Sequence, residues 1–244
     1  MKNLCRPKMI IFDFGNTLLH EPDFNPLRGD SALSGYITKN PNCYSPAYIS
    51  AYTNQIFLSA KSARDAGFEM HEHALLRLVN DSLGLEYSLT VEEQETIFWE
   101  NASTAEPMPY VEMLLEQLFQ MNIRSAVISN ISFSGKALRR KIDRALPDNH
   151  VEFVIASSEY GIRKPNPLLF QTALRMAGVS AEETWYCGDN FQADVIGASA
   201  AGIFPVWYRG ACESEEITEQ TYEWINMLSI HSWSEMIDLF KQMQ

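Results

Sequence analysis

Met9-Ile10-Ile11-Phe12-Asp13-Phe14-Gly15-Asn16-Thr17-Leu18 is the stretch on which the reading of this chain turns. Four consecutive apolar residues without polar alternation predict a strand buried on both faces, as in a parallel sheet. Asp13 closes the run, and Gly15-Asn16 predicts a turn directly after it. A carboxylate at the carboxyl end of such a strand is exposed and oriented, fit to attack a phosphoryl group or to hold a metal. Similar runs recur: Ile123 to Ser129, Val151 to Ala156, Trp185-Tyr186-Cys187 and Ile203 to Tyr208 read as further strands. Helical patterns lie between them. Val111, Leu114, Leu115 and Leu118 share one face, with Pro109 near the start and Asn122 as the stop. Others cover about 134–145, 167–177 and 192–201. Alternating β and α elements predict an α/β fold, a Rossmann-like parallel sheet covered on both faces.

Residues 20–105 read differently. Ser45-Pro46 is a cap followed by proline at the first helical position, and Tyr48, Ile49, Tyr52 and Ile56 recur at helical spacing. A second helix covers about 70–83, with Leu75, Leu76, Val79 and Leu83 on one face and Gly84 as its stop. Thr90 and Glu93 form a capping box for a third, about 91–101. The expected organisation is a core of 1–19 and 106–244 with an inserted all-helical cap domain, 20–105. An insertion after the first strand lies at the carboxyl end of the sheet, where ligands bind in such folds, so the cap reads as a lid. Tyr44, Tyr48 and Tyr52 are expected in the cap core rather than as a substrate shelf.

Three further elements carry candidate chemistry. Ser129-Asn130 ends the second strand, and a hydroxyl followed by turn amides suits phosphate oxygens. Lys164, in Gly161-Ile162-Arg163-Lys164-Pro165, is a cation on a loop and suits an anion. Gly188-Asp189-Asn190 ends the fourth strand, with Asp194 five residues after Asp189. Two acids so spaced can share Mg²⁺, which takes one or two carboxylates, waters and substrate phosphate. Each signal alone also describes a turn, a solvated lysine or a helix cap. Their succession at predicted strand ends makes them one constellation. His71 and His73, two apart, cannot share a helix face as metal ligands.

Charge and cysteine usage bound the function. The 244 residues carry 19 basic and 31 acidic side chains, a formal net charge of −12. That excludes the basic footprint of a nucleic-acid binder and argues against an anionic membrane surface. An anionic substrate therefore needs a local positive site. Cys5, Cys43, Cys187 and Cys212 are scattered, with neither a disulfide framework nor zinc-site spacing. With no signal-peptide pattern or membrane-length apolar run, the expected compartment is the cytoplasm.

Taken together, the residues resemble the haloacid dehalogenase (HAD) superfamily of aspartate-nucleophile hydrolases, in the subfamily with a helical cap after the first strand. The likeness covers about 8–20 and 106–208. Its most specific part is Lys164-Pro165, Gly188-Asp189 and the run Asp194-Val195-Ile196-Gly197-Ala198-Ser199-Ala200-Ala201-Gly202. The resemblance implies a Mg²⁺-dependent phosphatase of a small phosphorylated metabolite, a monomer or homodimer. It implies Asp13 as nucleophile, Ser129 and the Asn130 amide as phosphate ligands, and Lys164 as the charge that neutralises phosphate and orients Asp13. Asp13, the Gly15 carbonyl, Asp189 and Asp194 would surround the metal.

One position departs from the pattern. Most phosphatases of the superfamily carry an aspartate, the general acid and base, where this chain has Gly15. General acid catalysis is worth about 10²–10⁴-fold. His20, Glu21 and Asp23 are the candidates to replace it. Two alternatives follow: a catalytically weak or non-catalytic phosphometabolite-binding protein, and a phosphonatase- or dehalogenase-type hydrolase. Against the second, the acidic pair points to metal chemistry, and neither Lys39 nor Lys61 carries a Schiff-base pattern.

Overall fold

The computed structural model describes residues 4–210 and 225–243; Cys212 lies outside them. A six-stranded sheet forms the centre, built from β1 (Met9–Phe12), β6 (Arg124–Ser129), β7 (Val151–Ala156), β8 (Thr184–Gly188), β9 (Phe204–Tyr208) and β10 (Leu228–Ile230). The strand order is β10-β9-β8-β1-β6-β7, and every pairing in it is parallel. The continuous apolar run of β1 follows from this placement. Ile10 and Phe12 face one core with the helices Val111–Gln120, Gly135–Ala145 and Trp233–Gln242; Met9 and Ile11 face another with Pro167–Ala177 and Gly197–Ala200. All four β1 side chains are fully buried.

The chain leaves the core through β2 (Leu19–His20) and returns through β5 (Glu106–Pro107), which pair antiparallel. Between them lie the helices Pro26–Ser34, Pro46–Ser59, Lys61–Asp65, Glu72–Leu83 and Val91–Ala102. The capping predictions hold at atomic detail. Ser45 accepts from the Tyr48 amide, Thr90 and Glu93 form a reciprocal capping box, and Gly84 closes its helix at φ 67°.

The expectation of an all-helical insertion needs one correction. β3 (Ile37–Lys39) and β4 (Glu86–Tyr87) pair antiparallel within it. Strands of three and two residues are too short to carry the alternation that marks a strand in sequence. The tyrosines also differ from expectation. Tyr44 and Tyr52 are half-buried against the small cap core, but Tyr48, stacked at 4.7 Å on Tyr44, is 48% exposed. His73 bonds Glu95 at 2.9 Å, and its backbone N–H is capped by the His71 ring.

Sequence reading omitted β10 and the helix Trp233–Gln242. That helix fixes the loop that follows the first strand. Its Trp233 is fully buried, donates its indole N–H to the Thr17 carbonyl at 2.9 Å, stacks on Tyr208 and meets Phe12 edge-on. Trp233→Phe removes this donor and leaves a buried carbonyl unpaired, at a cost of about 1–3 kcal/mol. Trp233→Ala adds a cavity and costs about 3–5 kcal/mol. Urea denaturation of both variants checks the order.

Candidate active site

Lys164 is the hub. Its ammonium group donates to Asp13 Oδ1 at 2.6 Å, Asp194 Oδ1 at 2.7 Å and the Tyr186 hydroxyl at 2.7 Å, with the Ile128 carbonyl at 3.1 Å. The lysine is 4% exposed and is therefore not a solvated surface charge. Its partners come from the residue after β1, from within β6 and β8, and from the helical segment Phe191–Ile196 that follows β8. The loop that brings Lys164 inward is clamped by Asn130. That side chain accepts from the Lys164 amide at 2.7 Å and donates to the Lys164 carbonyl at 3.0 Å.

Asp194 is held from both sides. Oδ1 takes the lysine, and Oδ2 accepts the Asn190 amide at 2.9 Å. Gly188 makes this approach possible, because a Cβ there would overlap the Asp194 carboxyl group. Oxygens of Asp13, Asp189 and Asp194 lie within 4.8 Å of one another. Three carboxylates around one lysine leave excess negative charge, and an all-oxygen donor set is the chemistry of a hard divalent cation. The residues present therefore fit Mg²⁺.

Burial pushes the Asp13 carboxyl up to about 7, against the pull of Lys164 and with the push of Asp194 and Asp189. Burial also raises Asp189, helped by Asp194 and opposed by Lys164. For Lys164, burial works downward, but Asp13 and Asp194 outweigh it and hold the ammonium form. The Tyr186 hydroxyl stays protonated, raised well above its ordinary value by burial and then by Asp194.

A cavity of about 310 Å³ opens over this cluster and is lined by Asp13, Gly15, Ser129, Asn130, Lys164 and Asp194 among others. The sequence candidates thus converge on one place, with Asp189 joined through the carboxylate cluster. Of the three candidates to replace the missing acid, only Glu21 lines the cavity. Its Oε1 accepts from Trp99 Nε1 at 2.9 Å, from the Ser103 hydroxyl and from Lys141 at 3.1 Å. His20 faces Glu106 at 3.4 Å, and Asp23 is paired with Arg28 at 2.7 Å. Sequence reading missed two contributors, Tyr186 and Arg163. Arg163 lines the cavity and pairs with the buried Glu69 at 2.8 Å. The basic pair Arg163-Lys164 was its available signal.

The haloacid dehalogenase-like hydrolase family model matches residues 10–207, and this chain belongs to that family. Glyceraldehyde 3-phosphate phosphatase of Pyrococcus abyssi is 27% identical over 207 residues, 83% of this chain and 81% of that protein. Among solved structures, the 2-haloacid dehalogenase of Pseudomonas syringae pv. Tomato DC3000 aligns over 98% of this chain and 100% of its own, with TM-score 0.66 and 20% identity. The HAD phosphatase of Thermococcus onnurineus aligns over 95% and 97%, with TM-score 0.61 and 19% identity. Both structures share the fold, whichever bond they cleave.

Gly188→Ala should displace the Asp194 carboxyl, destabilise the protein by about 1–3 kcal/mol and weaken Mg²⁺ binding. Thermal unfolding with and without Mg²⁺ reads both effects.

Proposed function

We propose that this chain is a Mg²⁺-dependent phosphatase of a small phosphorylated metabolite, acting through an aspartyl-phosphate on Asp13. The observation that carries this reading is the carboxylate triad of Asp13, Asp189 and Asp194 set against buried Lys164. The three converging acids suit a hard divalent cation, which displacement of halide by a carboxylate does not require. Relatives that align over most of the chain are named phosphatases, whereas the likeness to a dehalogenase is one of fold.

Asp13 attacks phosphorus through the carboxylate oxygen not held by Lys164, and the P–O bond to the alcohol breaks. Water then attacks the acyl phosphate, releasing inorganic phosphate and regenerating Asp13. Lys164 fixes the Asp13 rotamer and offsets the repulsion between an anionic nucleophile and an anionic substrate. The Ser129 hydroxyl and the Asn130 backbone amide are the proposed phosphate ligands. Asp13, the Gly15 carbonyl, Asp189 and Asp194 would hold Mg²⁺, which would supply the remaining positive charge. Glu21, alone of the three replacements in reach of the cavity, is held as an acceptor by Lys141, Trp99 and Ser103, so none of the three takes over proton donation to the leaving alcohol. Residues 20–105 act as the cap that excludes water and shapes specificity.

Gly15 makes this a slow enzyme, and the structure leaves room to repair it. A Cβ at Gly15 meets no heavy atom within 4 Å. With p-nitrophenyl phosphate and a panel of phosphorylated metabolites, Asp13→Asn should abolish Mg²⁺-dependent turnover. Gly15→Asp should raise kcat by about 10-fold or more, within the usual range for general acid catalysis. Unchanged turnover in D13N overturns the nucleophile assignment.

A further inference from the structure

A second cavity, of about 150 Å³, lies where the cap meets the core and has different chemistry. It is lined by Asp30, Glu72, Ser50, Phe57, Phe98 and Phe133 among others. Its two carboxyl groups are unusual. Asp30 is 6% exposed and Glu72 is 4% exposed. Among the described residues neither has an ion-pair partner, and Asp30 Oδ2 has no hydrogen-bond partner at all. Glu72 Oε2 accepts only the Ser132 hydroxyl, at 3.1 Å. Arg64 stacks on the Phe57 ring at 3.7 Å but does not line the cavity.

The fold places Asp30 there at some cost. It sits inside the helix Pro26–Ser34, where aspartate is a poor helix former. Gly29 beside it lets that helix approach Phe98, since a Cβ there would lie 2.6 Å from the ring. Buried carboxylates are normally paired or coordinated. Burial pushes Asp30 up to about 6 and Glu72 up to about 7, the second aided by the charges of Glu95 and Asp30. The apolar, phenyl-rich walls do not suit a bare metal ion, which asks for a shell of oxygens. They do suit an organic cation, whose alkyl part packs on rings that also attract its charge.

We propose that this cavity binds the ammonium end of a small alkylammonium group, held by Asp30 and Glu72. At about 30 Å³ per water, the space equals roughly five waters, so the group is short. The cavity borders the active-site cleft: Ile131 lines one and Ser132 the other, as Glu21 and Phe24 do on the facing segment. The cation is therefore either the far end of an aminoalkyl phosphate substrate or a separate amine. The substrate source rests on the phosphatase reading; the binding site does not.

Calorimetric titration of the full chain with n-butylammonium chloride and with n-butanol tests the site. Saturable binding of the cation at least 10-fold tighter than the alcohol is expected, with a loss of 10-fold or more in Asp30→Asn and Glu72→Gln. Equal binding of the two probes by the unaltered protein, or undiminished cation binding by folded D30N and E72Q, overturns the proposal. Comparing kcat/KM for 4-aminobutyl phosphate and butyl phosphate then assigns the source. A preference of 10-fold or more that D30N removes marks a substrate site. No preference, with butylammonium still bound, marks a separate amine ligand. If neither ester is hydrolysed although p-nitrophenyl phosphate is, the substrate source is excluded; if p-nitrophenyl phosphate and the metabolite panel also fail, the phosphatase reading fails, and in either case the titration still decides the site.

Discussion

One buried ammonium group organises this protein. Lys164 meets Asp13, Asp194, Tyr186 and the Ile128 carbonyl within 3.1 Å. An unpaired ammonium at 4% exposure would lose its proton or force the loop open. Here the desolvation penalty is met by four acceptors on the middle strands β1, β6 and β8 and the segments that directly follow them. The order β8-β1-β6 is what brings those acceptors together. Removing one partner of such a buried cluster costs about 3–5 kcal/mol, because the other charges are left uncompensated. The same arrangement keeps Asp13 in one rotamer, so stability and the proposed chemistry draw on the same contacts.

The cap is tied to this hub and not merely set above it. Gly67 accepts from the Arg163 amide, and the Glu69 amide donates to Gly161, so a short cap segment runs alongside the lysine loop. Glu69 then takes Arg163 at 2.8 Å and Ser157 at 2.9 Å. On another side, buried Glu95 accepts the Ser134 amide and hydroxyl, both at 2.6 Å, at the start of the helix Gly135–Ala145. Carboxylates of the cap thus meet donors at the carboxyl-end loops of the core. Some of the excess acid has this local use. An excess of acid therefore does not exclude a phosphate substrate, whose partners act within a Debye length of about 8 Å.

The sequence made the core legible because strands buried on both faces are written as unbroken apolar runs. It made the candidate site legible because Asp13, Ser129, Lys164, Asp189 and Asp194 each follow or sit near such a run. Other features depend on pairs far apart in the chain. The Trp233 indole reaches Thr17 across 216 positions. Tyr186 reads as one more apolar filler until the fold turns its hydroxyl to Lys164. The sequence offers the Asn130 backbone amide as a phosphate ligand but does not mark its side chain, which is spent on the Lys164 backbone. Asp30 and Glu72 lie on separate helices, and nothing local marks them as neighbours.

The central claim is that Asp13, poised by Lys164, takes the phosphoryl group. Rapid acid quenching of the protein during turnover of p-nitrophenyl phosphate with Mg²⁺, followed by mass spectrometry of the peptide spanning Met9 to Leu18, tests it directly. With Gly15 in place of an acid–base aspartate, the proposed mechanism predicts slow breakdown of the acyl phosphate, and a hydroxylamine-sensitive phosphoryl adduct on Asp13 should accumulate. Sustained turnover with no adduct on that peptide, or with the phosphoryl group on another residue, would contradict it.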